Sequence, residues 1–125
     1  MRIIKLKNNH KDKRGSIADI FYKMNINHVA LIISKKGIIR GNNYFRKNIQ
    51  HVYNLSSSFE YWYKKFGSKK KPKKIIVKKG QLLFTPPMEI HALKFKKDNK
   101  LLEFSSIDMD QKKKTKDSKK YILFN

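Results

Sequence analysis

The apolar residues of this chain come in runs too short to make a helix face. They fall at residues 2–6, 16–21, 28–34, 50–55, 59–63, 75–77, 82–84, 91–95 and 101–106, and most are closed by serine or lysine. Counting the stretch around Gly37 and Gly41, about ten short strands and no convincing helix are expected, which is the signature of an all-β chain folded as two packed sheets. The hardest stop is Thr85-Pro86-Pro87. Two prolines cannot donate ladder hydrogen bonds, so the strand before them ends and the chain turns a rigid corner that delivers His91 to the next strand. Asn8 to Gly15 reads as a polar turn closed by glycine, and Ser56-Ser57-Ser58 as a turn held by serine.

Two strands carry more information than the rest. In 59–63, alternation sets Phe59, Tyr61 and Tyr63 on one face and Glu60 and Trp62 on the other, so both faces are covered. After Gly41 the same period sends Asn43 and Phe45 one way and Tyr44 and Arg46 the other. Between residues 64 and 79 lies the densest basic tract, Lys69-Lys70-Lys71-Pro72-Lys73-Lys74 included, read as an exposed hairpin loop.

At 125 residues the chain has room for one domain with one core. It contains no run of about 18 apolar residues and no leader-like apolar segment, so no membrane partner and a cytoplasmic location are expected. With no cysteine, disulfides and thiolate metal sites are excluded. The 31 Lys and Arg against 9 Asp and Glu give a formal net charge of +22, which on its face suits nucleic acid. Lysine far outnumbers arginine, the better residue for bidentate phosphate and base contacts, and a solvated lysine coat is the reading adopted over a nucleic-acid-binding β domain.

Two stretches resemble the paired motifs of a cupin. Arg40-Gly41-Asn42-Asn43-Tyr44-Phe45-Arg46-Lys47 is similar to the Arg-Gly-Asn-His-Tyr-His-Lys frame of small cupins acting on nucleotide sugars, the dTDP-4-dehydrorhamnose 3,5-epimerase and dTDP-4-oxo-6-deoxyglucose 3,4-ketoisomerase group. Residues 80–91 resemble the second motif, ending at His91, and Asp12, Arg14 and Gly15 match an Asp-x-Arg-Gly turn of the same group. The resemblance covers roughly residues 12–106 and implies a cupin double-stranded β-helix, or jelly roll, over residues 1–107. Residues 108–125 then form a charged linker and an apolar segment, Tyr121 to Phe124, that docks as an edge strand or on a partner subunit.

The resemblance also implies a site. Arg40 matches the group's substrate-binding arginine, whose fork suits a pyrophosphate. Asn43 and Phe45 stand where the motif histidines would be, with Gln50 and His91 at the other two positions and Glu103 on a neighbouring strand. An amide is a poor ligand and a phenyl ring none, so neither a metal nor another cofactor is expected. Epimerases of the group remove a proton α to a sugar ketone, and Asn43 cannot serve as that base. His91 is left as the candidate catalytic residue, with Arg40, Asn43, Phe45, Gln50 and Glu103 as candidate binding residues. The expectation is a homodimeric relative of the nucleotide-sugar epimerases and ketoisomerases acting on a dTDP-deoxysugar in polysaccharide biosynthesis. The alternative is a catalytically disabled cupin that binds a sugar or sugar nucleotide as a sensor or accessory subunit.

Overall fold

A computed structural model describes every residue except Met1, Tyr22, Met109, Gln111, residues 113–115 and Asn125. Among the described residues twelve strands form: β1 (Ile3–Ile4), β2 (Asn8–Asp12), β3 (Gly15–Ala18), β4 (His28–Ser34), β5 (Ile39–Phe45) and β6 (Gln50–Asn54). They continue with β7 (Phe59–Lys65), β8 (Lys73–Val77), β9 (Leu82–Thr85), β10 (Glu89–Lys94), β11 (Asn99–Ser105) and β12 (Ser118–Lys120). One antiparallel sheet runs β1-β9-β6-β11-β4, and the other β12-β5-β10-β7-β8. The two face each other as the double-stranded β-helix of a cupin, and β2 and β3 form a separate hairpin.

The core sits between the sheets at one end. Val52, Leu83 and Leu101 come from the first sheet, and Phe59, Tyr61, Val77 and Leu93 from the second, with Phe95 just beyond β10. Each such side chain, buried almost completely, contributes about 1.5–3 kcal/mol relative to exposure. Phe59 and Tyr61 lie inside this chain's own core.

The structure differs from the sequence reading in three places. Residues 8–15 are a hairpin and not a simple loop, because Asp12 accepts the Arg14 backbone N–H at 2.9 Å and the Arg14 guanidinium at 2.8 Å across a tight turn. Between β7 and β8 the basic loop is shorter than expected, since the strands extend to Lys65 and from Lys73. The C-terminal strand forms on the polar Ser118–Lys120, paired with Phe45, Tyr44 and Asn43, and not on the apolar residues 121–124 that follow it. The serine turn at 56–58 holds without glycine because Asn54 Nδ2 and Asn99 Nδ2 both donate to the Ser57 carbonyl, at 2.9 Å and 2.7 Å.

Where β5 pairs with β10 the register shifts between His91 and Ala92. Gly41, at φ +87°, and Asn42, at φ +54°, make this bulge on the β5 side. A Cβ at Gly41 would lie 2.9 Å from the His91 carbonyl oxygen, so only glycine fits.

Candidate functional site

The bulge decides what the motif frame presents. It leaves Arg40 at an exposed rim and turns Asn43 and Phe45 inward. Together with Gln50 of β6, His91 of β10 and Glu103 of β11, these residues line a single cavity of about 280 Å³ between the sheets. All six candidate residues thus meet at one place. Ile32, Val52, Leu93 and Leu101 supply its apolar wall.

His91 is 2% exposed, with Phe45 at 5.7 Å and Tyr61 at 6.0 Å between ring centroids. Its Nδ1 lies 3.1 Å from the Glu89 carbonyl oxygen. A carbonyl only accepts, so Nδ1 carries the proton and Nε2 is the bare nitrogen of a neutral ring. Burial lowers its pKa to about 4, with the Glu89 carbonyl offsetting part of the shift. His51, which alternation turns away from Gln50, lies outside the cavity, edge-on to Phe21 at 5.0 Å and beside Phe84 at 5.2 Å.

Arg40 donates through Nε to Ser34 Oγ at 2.7 Å and through Nη2 to the Ile33 carbonyl at 3.0 Å. No carboxylate pairs with it among the described residues. The fork is held in place by neutral acceptors, a geometry that suits an anion-binding arginine.

Sequence reasoning missed two groups of residues. One is the C-terminal segment. Asn43 Nδ2 donates to Ser118 Oγ at 2.7 Å, and Asn42 is bonded on three sides: its carbonyl accepts Tyr121 N–H at 2.8 Å, its Oδ1 accepts Leu123 N–H at 2.9 Å, and its Nδ2 donates to the Phe124 carbonyl at 3.1 Å. Asp117 accepts the N–H groups of Lys47 and Asn48 at 2.8 and 3.0 Å. These partners lie some 70 to 80 residues apart in sequence, and nothing local foretells them.

The other group lies behind His91. Tyr61 donates to Glu89 Oε2 at 2.6 Å and shares a hydrogen bond with Thr85 at 2.8 Å, while Arg2 pairs with Glu89. Burial raises the Glu89 pKa, against the pull of Tyr61 and Arg2. Burial, and next the Glu89 charge, raises that of Tyr61 well above its ordinary value. A lone acid two residues after the double proline, in a chain with few acids, was the available signal for Glu89.

The donors around the cavity do not fit a divalent metal: one imidazole, one carboxyl and two amides fall short of a nitrogen and oxygen cage. Among the described residues no three histidine, aspartate or glutamate side chains cluster to hold one. No helix there is long and apolar enough to cross a membrane.

No family model matches the sequence, and no curated protein matches it. Solved structures do. The QdtA 3,4-ketoisomerase from Thermoanaerobacterium thermosaccharolyticum, as a double mutant in complex with TDP, aligns at 26% identity and TM-score 0.75, with 94% of this chain and 84% of that chain covered. A histidine-to-asparagine mutant of the same enzyme in complex with TDP-4-keto-6-deoxyglucose aligns at 25% identity and TM-score 0.74, with the same coverage. The dTDP-4-dehydrorhamnose 3,5-epimerase from Sulfolobus tokodaii shares the fold at 16% identity and TM-score 0.68, with 95% of this chain and 81% of that chain covered. The chain has the cupin fold, and within it resembles the QdtA 3,4-ketoisomerase.

Proposed function

We propose that this chain binds a nucleotide sugar of the dTDP-deoxysugar type, with the sugar ring in the barrel cavity and the diphosphate at Arg40, and that it holds this ligand without isomerising it. The observation that carries the reading is the convergence of Arg40, Asn43, Phe45, Gln50, His91 and Glu103 on one cavity in a fold whose neighbours were captured with TDP and a TDP-sugar. At about 280 Å³ the cavity lies at the small end of ligand sites. It suits a sugar ring, with the nucleotide continuing outside past the rim.

The chemistry of the walls favours binding over turnover. Removing a proton α to a ketone needs a base whose pKa lies near the working pH and a donor for the developing enolate oxygen. Asn43 accepts no proton. His91 is a neutral acceptor at Nε2 whose imidazolium is strongly disfavoured by burial, and a lone pair there offers an enolate no hydrogen bond. The neighbour's histidine-to-asparagine mutant was captured in complex with TDP-4-keto-6-deoxyglucose, so that protein still takes a ketosugar with a histidine replaced. A role in polysaccharide biosynthesis, as a sensor or accessory subunit, follows from this ligand class.

Thermal denaturation with dTDP, dTDP-glucose and the matching UDP, GDP and CMP compounds tests the proposal. A ligand bound only to the folded state raises Tm by mass action, and the dTDP compounds are expected to do so. Arg40→Ala should remove most of that shift. No stabilisation by any nucleotide would place the ligand outside this class.

A further inference from the structure

A second concave site lies where the start of the chain meets β7, β8 and β10. It is lined by the start of the chain at Arg2, the end of β7 at Tyr63, Lys64 and Lys65, the loop residues Ser68, Lys70 and Lys71, Lys73 at the start of β8, and Glu89. Its volume is about 320 Å³, and it shares no lining residue with the barrel cavity. Six cationic residues line it against one carboxylate, the Lys64 ammonium lying 5.5 Å over the Tyr121 ring.

That carboxylate is already paired with Arg2 and accepts a hydrogen bond from the Tyr61 hydroxyl. No carboxylate among the described residues pairs with any of the five lysines. The lysines are also held on defined backbone. Phe66 N–H donates to the Met88 carbonyl at 3.0 Å, Ser68 N–H to the Lys65 carbonyl at 3.0 Å, and Lys70 N–H to Ser68 Oγ at 3.1 Å. Gly67 takes the positive φ of +83° that the turn needs. Convergence of unpaired cations in a concave surface costs free energy through mutual repulsion, which an anion relieves.

Further geometry narrows the ligand. The Arg2 guanidinium lies 3.9 Å over the Tyr63 ring, and Tyr61 stacks on Tyr63 at 5.6 Å. Tyr63, the one aromatic side chain lining the cleft, thus already carries the Arg2 guanidinium over its ring, which disfavours it as a plate for a nucleobase. Lysine ammoniums act as point charges that suit phosphate oxygens without demanding a bidentate plane. We infer that this cleft is a second binding site, taking a compact anion with two or more adjacent phosphates, whether free oligophosphate or the phosphate chain of a nucleotide. It recognises the phosphates and not the rest of the ligand.

Isothermal titration of the full chain with inorganic pyrophosphate, and separately with ATP, at physiological salt tests this. The site predicts saturable binding of both near one per chain. Equal affinities mark recognition of the phosphate chain alone, and tighter pyrophosphate marks the free anion as the natural source. Lys70→Glu with Lys71→Glu should weaken pyrophosphate at least tenfold, whereas Lys36→Glu with Lys100→Glu, the same charge change elsewhere, should leave it within about twofold. Equal losses in the two double variants would show a diffuse lysine coat and overturn the assignment. Loss of pyrophosphate binding in Arg40→Ala would overturn it as well, by making the anion a barrel ligand. A single-stranded oligonucleotide that binds with a steep salt dependence and is not displaced by pyrophosphate would do so by making the surface a nucleic-acid one.

Discussion

At the scale of single residues, His91 and Gly41 carry the sharpest consequences. His91 has a folded pKa of about 4 against an ordinary 6.5. The unfolded chain therefore binds the extra proton first as pH falls, and stability contributed by the neutral ring is present above pH 6.5 and lost down to about pH 4. The shift corresponds to about 3 kcal/mol. His51, lowered by burial, acts in the same direction. Urea denaturation from pH 7 to pH 4.5 should show this loss, and His91→Gln should flatten the slope. A variant as acid-sensitive as the parent would show that His91 is not the group responsible. At Gly41 any side chain meets both the His91 carbonyl and a forbidden φ. Gly41→Ala is expected to cost about 2 kcal/mol in the same assay, whereas Gly37→Ala, with open space around its Cβ, should cost only the backbone strain of its own positive φ.

Among the elements, β12 shows how far the sequence could be read. Strand order through the barrel was legible because β-branched runs, the double proline and the glycine turns punctuate it locally. The shared face of Asn43 and Phe45 was legible from the two-residue period, and their inward direction, with that of Gln50 and His91, came from the resemblance to the cupin motifs. The partners of β12 were not legible. Residues 121–124 looked like the strand because they are apolar, yet Ser118–Lys120 pairs with β5, since strand pairing there is set by Asp117 and Ser118 engaging distant backbone and Asn43. Asp117→Ala would leave the Lys47 and Asn48 N–H groups without their acceptor, and about 2 kcal/mol of destabilisation is predicted. Amide exchange should speed at residues 43–48 and 118–120 before the rest of the barrel. Exchange unchanged in that region would mean that Asp117 does not hold β12 in place. Tyr61 and Glu89 likewise became a pair only once β7 and β10 lay side by side, at a separation of 28 residues.

For the whole molecule, the open question is what covers β4. It is the edge of its sheet, and alternate residues Val29, Leu31 and Ile33 are 56%, 58% and 57% exposed on one face. A long apolar edge with unpaired backbone groups is an aggregation hazard unless it is paired. Pairing with a second copy, edge to edge about a two-fold axis, would satisfy that edge. A chain of net charge +22 repels its copy, so dimerisation should strengthen as salt screens that repulsion. Light scattering across a salt series should show this, and Leu31→Glu should give a folded monomer; a monomer at every salt concentration would refute the interface. The central claim, binding without turnover, is tested most directly by NMR of TDP-4-keto-6-deoxyglucose in deuterated buffer with and without the protein. The account predicts saturable perturbation of the sugar ring resonances, with exchange at the carbon next to the ketone no faster than in buffer alone. Rapid protein-dependent exchange at that carbon, or no perturbation at all, would contradict it.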